Sequence, residues 1–134
     1  MTLLLFAVTA VTGLTGCSSS DGPEMFETSG TVHWEGAPLT EGRITFRMLE
    51  GEGRVYSAPI ANGSFTIESL PGKMRVEIIA SRLIPGKFDH SNGEPTPVGE
   101  MYIPAKYNSR SELAYTVGPD AAPPDFNLIP DGRT

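Results

Sequence analysis

The sequence predicts an all-β protein, a seven-stranded Greek-key β-sandwich, on three observations. Apolar and polar residues alternate in short runs on both sides of residues 83–111 within 28–130, the period of a strand with one buried and one wet face. No run of ten residues carries the 3.6-residue period of an amphipathic helix. Glycine and proline, 15 and 12 of the 134 residues, cluster between the runs, where turns need positive or preset φ. Short strands with frequent turns bury their dry faces in two packed layers.

Ahead of the strands, residues 2–16 hold no charged side chain and end in Leu14-Thr15-Gly16 before Cys17. A short apolar run closed by small residues reads as a secretory signal peptide, residues 1–16, and is too short for a comfortable membrane span. Leu14-Thr15-Gly16-Cys17 resembles the lipobox of bacterial lipoproteins. That resemblance implies that Cys17 is lipidated and becomes the mature N-terminus, so that the chain's first partner is a membrane, held by a lipid anchor. Ser18, where inner-membrane retention would place Asp, implies the outer membrane, with the domain facing periplasm or exterior. Cys17 is the only cysteine, which leaves the mature domain no disulfide and no thiolate for catalysis or metal. Residues 17–27, polar and broken by Gly22-Pro23, read as the lipidated cysteine and a flexible tether. Residues 131–134 form a short tail. The net charge of −6 gives no support to nucleic-acid binding, which calls for a basic stripe.

Within the domain, Val32 and Trp34 alternate with Thr31 and His33 and end at the Gly36 turn. Ile44, Phe46 and Met48 form the dry face of the next strand. Tyr56, Ala58 and Ile60 form that of the third, where Pro59 cannot donate to a ladder and so predicts an edge or a bulge. Asn62-Gly63 is a type I′ hairpin signal, leading to Phe65 and Ile67. Leu70-Pro71-Gly72 predicts a second reversal into Met74, Val76, Ile78 and Ala80, so that three successive antiparallel strands are expected here. Pro85-Gly86, Asn92-Gly93, Pro95, Pro97 and Pro104 interrupt residues 83–111, which carry no period and are expected to form a long irregular connection. Leu113, Tyr115 and Val117, then Phe126 and Leu128, complete the seven strands.

Three motifs together resemble the carboxypeptidase regulatory-like, or transthyretin-like, domains of small planctomycete-type bacterial lipoproteins. They are Gly30-x-Val32 continuing through Gly36-x-Pro38-Leu39 and Gly42-x-Ile44-x-Phe46; Asn62-Gly63-x-Phe65-x-Ile67 with Leu70-Pro71-Gly72; and Ile103-Pro104-x-Lys106-Tyr107-Asn108. Met74 stands where many relatives carry an aromatic residue. The resemblance covers residues 28–129 and implies a non-catalytic module, structural or binding, without a cofactor. Hydroxyisourate hydrolases of the same superfamily use histidines, an arginine and a C-terminal tetrapeptide ending in Ser. This chain ends Asp131-Gly132-Arg133-Thr134, which disfavours that enzymatic alternative.

The candidate ligand-binding residues are Tyr102, Lys106, Tyr107, Asn108 and Trp34. Aromatic rings beside an ammonium and an amide suit sugar or peptide contacts, and a glycan or protein partner follows from that reading. The same residues equally suit pinning the long connection to the sandwich, and Trp34 equally suits plugging its open end. Asp89-His90-Ser91-Asn92-Gly93-Glu94 gathers oxygen donors in a turn, either for a hard cation or simply for solvent. His33 and His90 are the only histidines. Without a thiolate they supply no three- or four-ligand zinc set, so neither a metal nor a catalytic residue is assigned. No serine lies in a nucleophile-elbow pattern.

Overall fold

All seven strands expected from alternation form, and three more join them. The computed structural model describes Gly16 and residues 22–132; the apolar stretch, Cys17, and Arg133 with Thr134 lie outside the described residues. The strands are β1 (Phe26–Trp34), β2 (Ala37–Pro38), β3 (Glu41–Met48), β4 (Val55–Ala61), β5 (Ser64–Ser69), β6 (Gly72–Ile79), β7 (Ser81–Asp89), β8 (Thr96–Met101), β9 (Ala114–Val117) and β10 (Asp125–Leu128). One 3-10 turn covers Ala105–Tyr107, and the described residues contain no α-helix.

The main sheet follows the order β10-β1-β5-β4-β3-β6-β9 and curls on itself at the β4–β5 corner. One layer is therefore β10-β1-β5 and the other β4-β3-β6-β9, with the dry faces between them. Val32, Ile44, Phe46, Met74, Val76 and Ile78 are fully shielded from solvent in that core. Phe46 of one layer meets Phe65 of the other edge to face, at 6.2 Å between centroids. Each alternation read from the sequence thus points inward as expected.

The pairing differs from the expected run of three antiparallel strands. Asn62 and Gly63 do adopt positive φ, 50° and 77°, as a type I′ turn needs. Yet β4 and β5 pair only at Ala61↔Ser64 before they part into opposite layers. β5 pairs with β1, and β6 pairs with β3. The turns at 62–63 and 70–72 therefore carry the chain between layers. The physical reason is burial: Phe65 and Ile67 can cover Phe46 only from the opposite layer. Gly63 is fitted closely as well, since a Cβ there would lie 2.7 Å from the Pro38 Cβ.

One further difference concerns a boundary. Phe26 and Glu27, expected in the tether, already pair with Ser69 and Glu68. β10 lies parallel to β1, with Val32 opposite Phe126 and Trp34 opposite Leu128. Pro59 sits in a continuous ladder opposite Arg43. Past the corner the other side of β4 is unpaired, so Pro59 lies on an edge, where a missing N–H costs least.

Residues 83–101, expected to open an irregular connection, instead form strands, while 102–111 stay irregular apart from the 3-10 turn. β7 and β8 make a two-stranded antiparallel ribbon, paired Ser81↔Met101 at its base and Asp89↔Thr96 near its tip, with a bulge between Leu83 and Phe88. Both faces of the ribbon meet solvent; only Ile84 and Val98 are half-buried within it. With no face against the core, nothing selects an alternating pattern, and the sequence carries none. Trypsin is expected to cut first after exposed Lys87 in the bulge, leaving residues 26–79 intact. A first cut within β3 to β6, read by mass spectrometry, would contradict this exposed ribbon.

Candidate functional site

At one end of the sandwich β1 finishes at Trp34, and Glu35-Gly36 turns the chain into β2. Both turn residues have positive φ, 51° and 84°. Gly36 adopts that region freely, whereas a glutamate there is strained by about 1–3 kcal/mol. The turn is pinned from beneath: the Glu35 N–H donates to the Leu128 carbonyl at 3.0 Å.

The base of the ribbon folds against this turn. The Tyr102 N–H donates to the Ala80 carbonyl at 3.2 Å, which closes the ribbon and sets the ring beside Trp34. The two rings meet edge to face, 5.6 Å apart at 69°. The Arg82 guanidinium lies over Tyr102, 5.0 Å from its centroid, and Arg82 Nε donates to Glu100 Oε1 at 2.9 Å. Arg82 is thereby held from two sides, by a cation–π contact and by an ion pair.

The Arg82–Tyr102 stack separates two open clefts. One, about 470 Å³, lies between Trp34, Glu35, Pro130 and Asp131. Its neighbour, about 430 Å³, runs past Glu41 and Leu83. Both are in the size range of small-ligand sites. Arg82 and Met101 were missed in the sequence because Met101 lies in the segment expected to be irregular and Arg82 lies just ahead of it, past the last alternating residue Ala80.

The other residues of the predicted set bind the chain itself. Asn108 is buried, and its Nδ2 lies within bonding distance of the Ile78, Ile103 and Pro104 carbonyls, at 3.2, 3.3 and 3.0 Å. Its Oδ1 accepts from the Ser109 N–H at 2.9 Å. Tyr107 accepts at its hydroxyl from the Ile129 N–H at 3.1 Å. Arg75 Nη2 donates to the Asn108 and Ser109 carbonyls, and the Ser111 hydroxyl donates to the Val76 carbonyl. Ile103, only 3% exposed, completes a staple of this segment onto β6. Lys106 lies over Tyr107 and pairs with Asp131 at 3.6 Å, at the rim of the first cleft. Of the predicted ligand set, Trp34 and Tyr102 line that cleft, Lys106 reaches its rim, and Tyr107 and Asn108 stand behind it.

The Asp89–Glu94 turn caps the tip of the ribbon, away from the clefts. Its Asp89 Oδ1 accepts from the Ser91 N–H at 2.8 Å, and this bond, chiefly, holds the carboxyl below its ordinary range. Among the described residues no three His, Cys, Asp or Glu side chains gather where they could hold a metal. His33 lies on the outer face of β1 with Nδ1 3.0 Å from Asp125 Oδ1. The Thr31 hydroxyl donates to the same oxygen at 2.8 Å. Asp125 is held below its ordinary range, first by Thr31 and next by Asn127. The pair has the geometry of a base and its orienting acid, but no described hydroxyl or thiol is bonded to the His33 ring. Sequence periodicity had no means of finding Asp125, which meets His33 only through the parallel β1–β10 pairing.

Fold and geometry together define an all-β sandwich with an aromatic, carboxylate-rimmed double cleft at one end. No protein-family model matches the chain, and no curated protein or solved structure matches it significantly.

Proposed function

We propose that the chain is a lipid-anchored, non-catalytic binding module of the cell envelope, with a transthyretin-like sandwich as its scaffold. The observation that carries this is the Leu14-Thr15-Gly16-Cys17 sequence closing an uncharged apolar run, which sets the membrane at the N-terminal end. The geometry of β1 supports it. The strand enters the fold at Phe26 and crosses the sandwich to Trp34, so the entry point of the chain and the clefts lie at opposite ends. A lipid at Cys17 would hold one end near the membrane and leave the clefts facing away from it. The clefts combine rings, carboxylates and a fixed guanidinium without a bonded nucleophile, a constellation suited to holding a ligand.

Cys17→Ala is the direct test. The variant is expected to move from the membrane pellet to the soluble fraction and to lose incorporation of a radiolabelled fatty acid. Retention in the pellet after a carbonate wash would remove the anchor from this reading.

A further inference from the structure

We infer that the two clefts together bind a linear oligosaccharide that is neutral or amine-bearing, with its chain crossing the Arg82–Tyr102 stack. The inference rests on the reading of this end as the binding surface and names its ligand class.

Four features carry it. The clefts of about 470 and 430 Å³ share Arg82 and Tyr102 as a common wall. A ligand longer than one unit therefore occupies both by passing over that wall. Next, Trp34 and Tyr102 are half-buried in the first cleft, and the ring surface not covered by their mutual contact or by Arg82 suits the C–H face of a pyranose. The polar groups also match a polyol. Sugar hydroxyls donate and accept, and here the Glu35, Glu41 and Asp131 carboxylates line the clefts as acceptors while Arg82 supplies donors. Arg82 binds Glu100 through Nε, which leaves both Nη groups to face a ligand in a fixed plane. Lastly, the strain of Glu35 at φ 51° sits in the cleft, where asparagine or glycine would relieve it. Strain kept at a concave surface points to use of the side chain.

The charge balance narrows the class. Three carboxylates line the clefts, with the Arg82 guanidinium between them and Lys106, paired to Asp131, at the rim, and the chain as a whole carries −6. Uronic-acid or phosphorylated chains meet repulsion there, whereas hydroxyls and ammonium groups meet acceptors. A peptide is the less favoured occupant. Extended peptides add to a free strand edge through successive backbone N–H groups. Pro85 on β7 and Pro97 on β8 interrupt the ribbon's edges outward from the clefts, which limits how far a peptide strand could pair along them.

The test uses the full-length chain in a non-glycosidic detergent, titrated calorimetrically with tetramers of N-acetylglucosamine, glucosamine and galacturonic acid. The neutral and amine tetramers are expected to bind, on the order of tenfold or more tighter than their monomers. The galacturonate tetramer is expected to show no heat. Tyr102→Ala is expected to weaken binding on the order of tenfold, the scale of an aromatic anchor. Because that variant disturbs ring packing, Glu35→Asn and Glu41→Gln serve as variants that keep the fold. Glu35→Asn is expected to raise the melting temperature while lowering affinity. Silence from all three tetramers overturns the inference, as does equal binding of galacturonate, equal binding of monomers, or full affinity in Glu35→Asn and Glu41→Gln together. Binding of unrelated peptides in place of the tetramers also overturns it. None of these outcomes depends on whether Cys17→Ala leaves the membrane, so the ligand class and the anchor fail separately.

Discussion

Phe46→Ala is expected to destabilise the sandwich by about 3–5 kcal/mol, the usual cost of removing a buried aromatic side chain and leaving a cavity. Phe46 is fully shielded on β3. Its ring meets Phe65 of the other layer at 6.2 Å and Tyr115 of its own layer at 5.9 Å. Phe65 in turn stacks on Phe126 at 6.3 Å, so one ring links β3 to β9, β5 and, through Phe65, β10. Such a loss is a large share of the roughly 5–15 kcal/mol that holds an ordinary domain together. Urea unfolding followed by tryptophan fluorescence reads it as a lower midpoint. Leu49→Ala provides the control. Leu49 is 58% exposed, and its loss is expected to stay within about 0.5 kcal/mol. Equal midpoints for the two variants would mean that Phe46 does not join the layers.

Asn108→Asp is expected to cost about 3 kcal/mol or more at neutral pH, because it buries a charge against backbone carbonyls while the neighbouring Arg75 is already engaged by the Asn108 and Ser109 carbonyls and by Glu77. The Asn108 Nδ2 faces three backbone carbonyls, of Ile78, Ile103 and Pro104. An aspartate would set a second oxygen against those same acceptors. Burial and the carbonyls would both favour the neutral acid and push its pKa up in the folded variant. A folded pKa above the unfolded value stabilises the native state below the unfolded pKa and loses that contribution as pH rises through the folded one. The deficit relative to the parent protein is therefore expected to be smaller at pH 4 than at pH 7, since the protonated acid can donate to one carbonyl. Urea midpoints of both proteins at the two pH values check this. A deficit that does not change with pH would show that Asn108 is not the donor that fastens this segment to β6.

This staple shows why the Ile103–Asn108 motif reads two ways in sequence. A tyrosine, a lysine and an asparagine in a row are the residue types of a binding loop, and also those of a loop fastened to its own scaffold. Which applies depends on where Ile78 and Ile129 stand, and both are distant along the chain. The same holds for Trp34. Its position at the end of a strand is readable, but its neighbour Tyr102 arrives by way of the ribbon. The ribbon itself escaped detection because alternation marks a strand only when one face is dry.

What the sequence by itself determined is local. Period-two alternation assigned the dry faces of seven strands, from Val32 to Leu128, and Asn62-Gly63 specified its turn through the positive φ that both residues adopt. Backbone sterics and side-chain burial act over a few residues, so their signal lies in neighbouring letters. Tertiary structure alone decided the partners: β5 with β1, β6 with β3, and β10 parallel to β1. It also decided that Trp34, Arg82 and Tyr102 meet at one end. Those choices come from how the dry faces cover one another across the core, a non-local competition that no short stretch of the chain encodes.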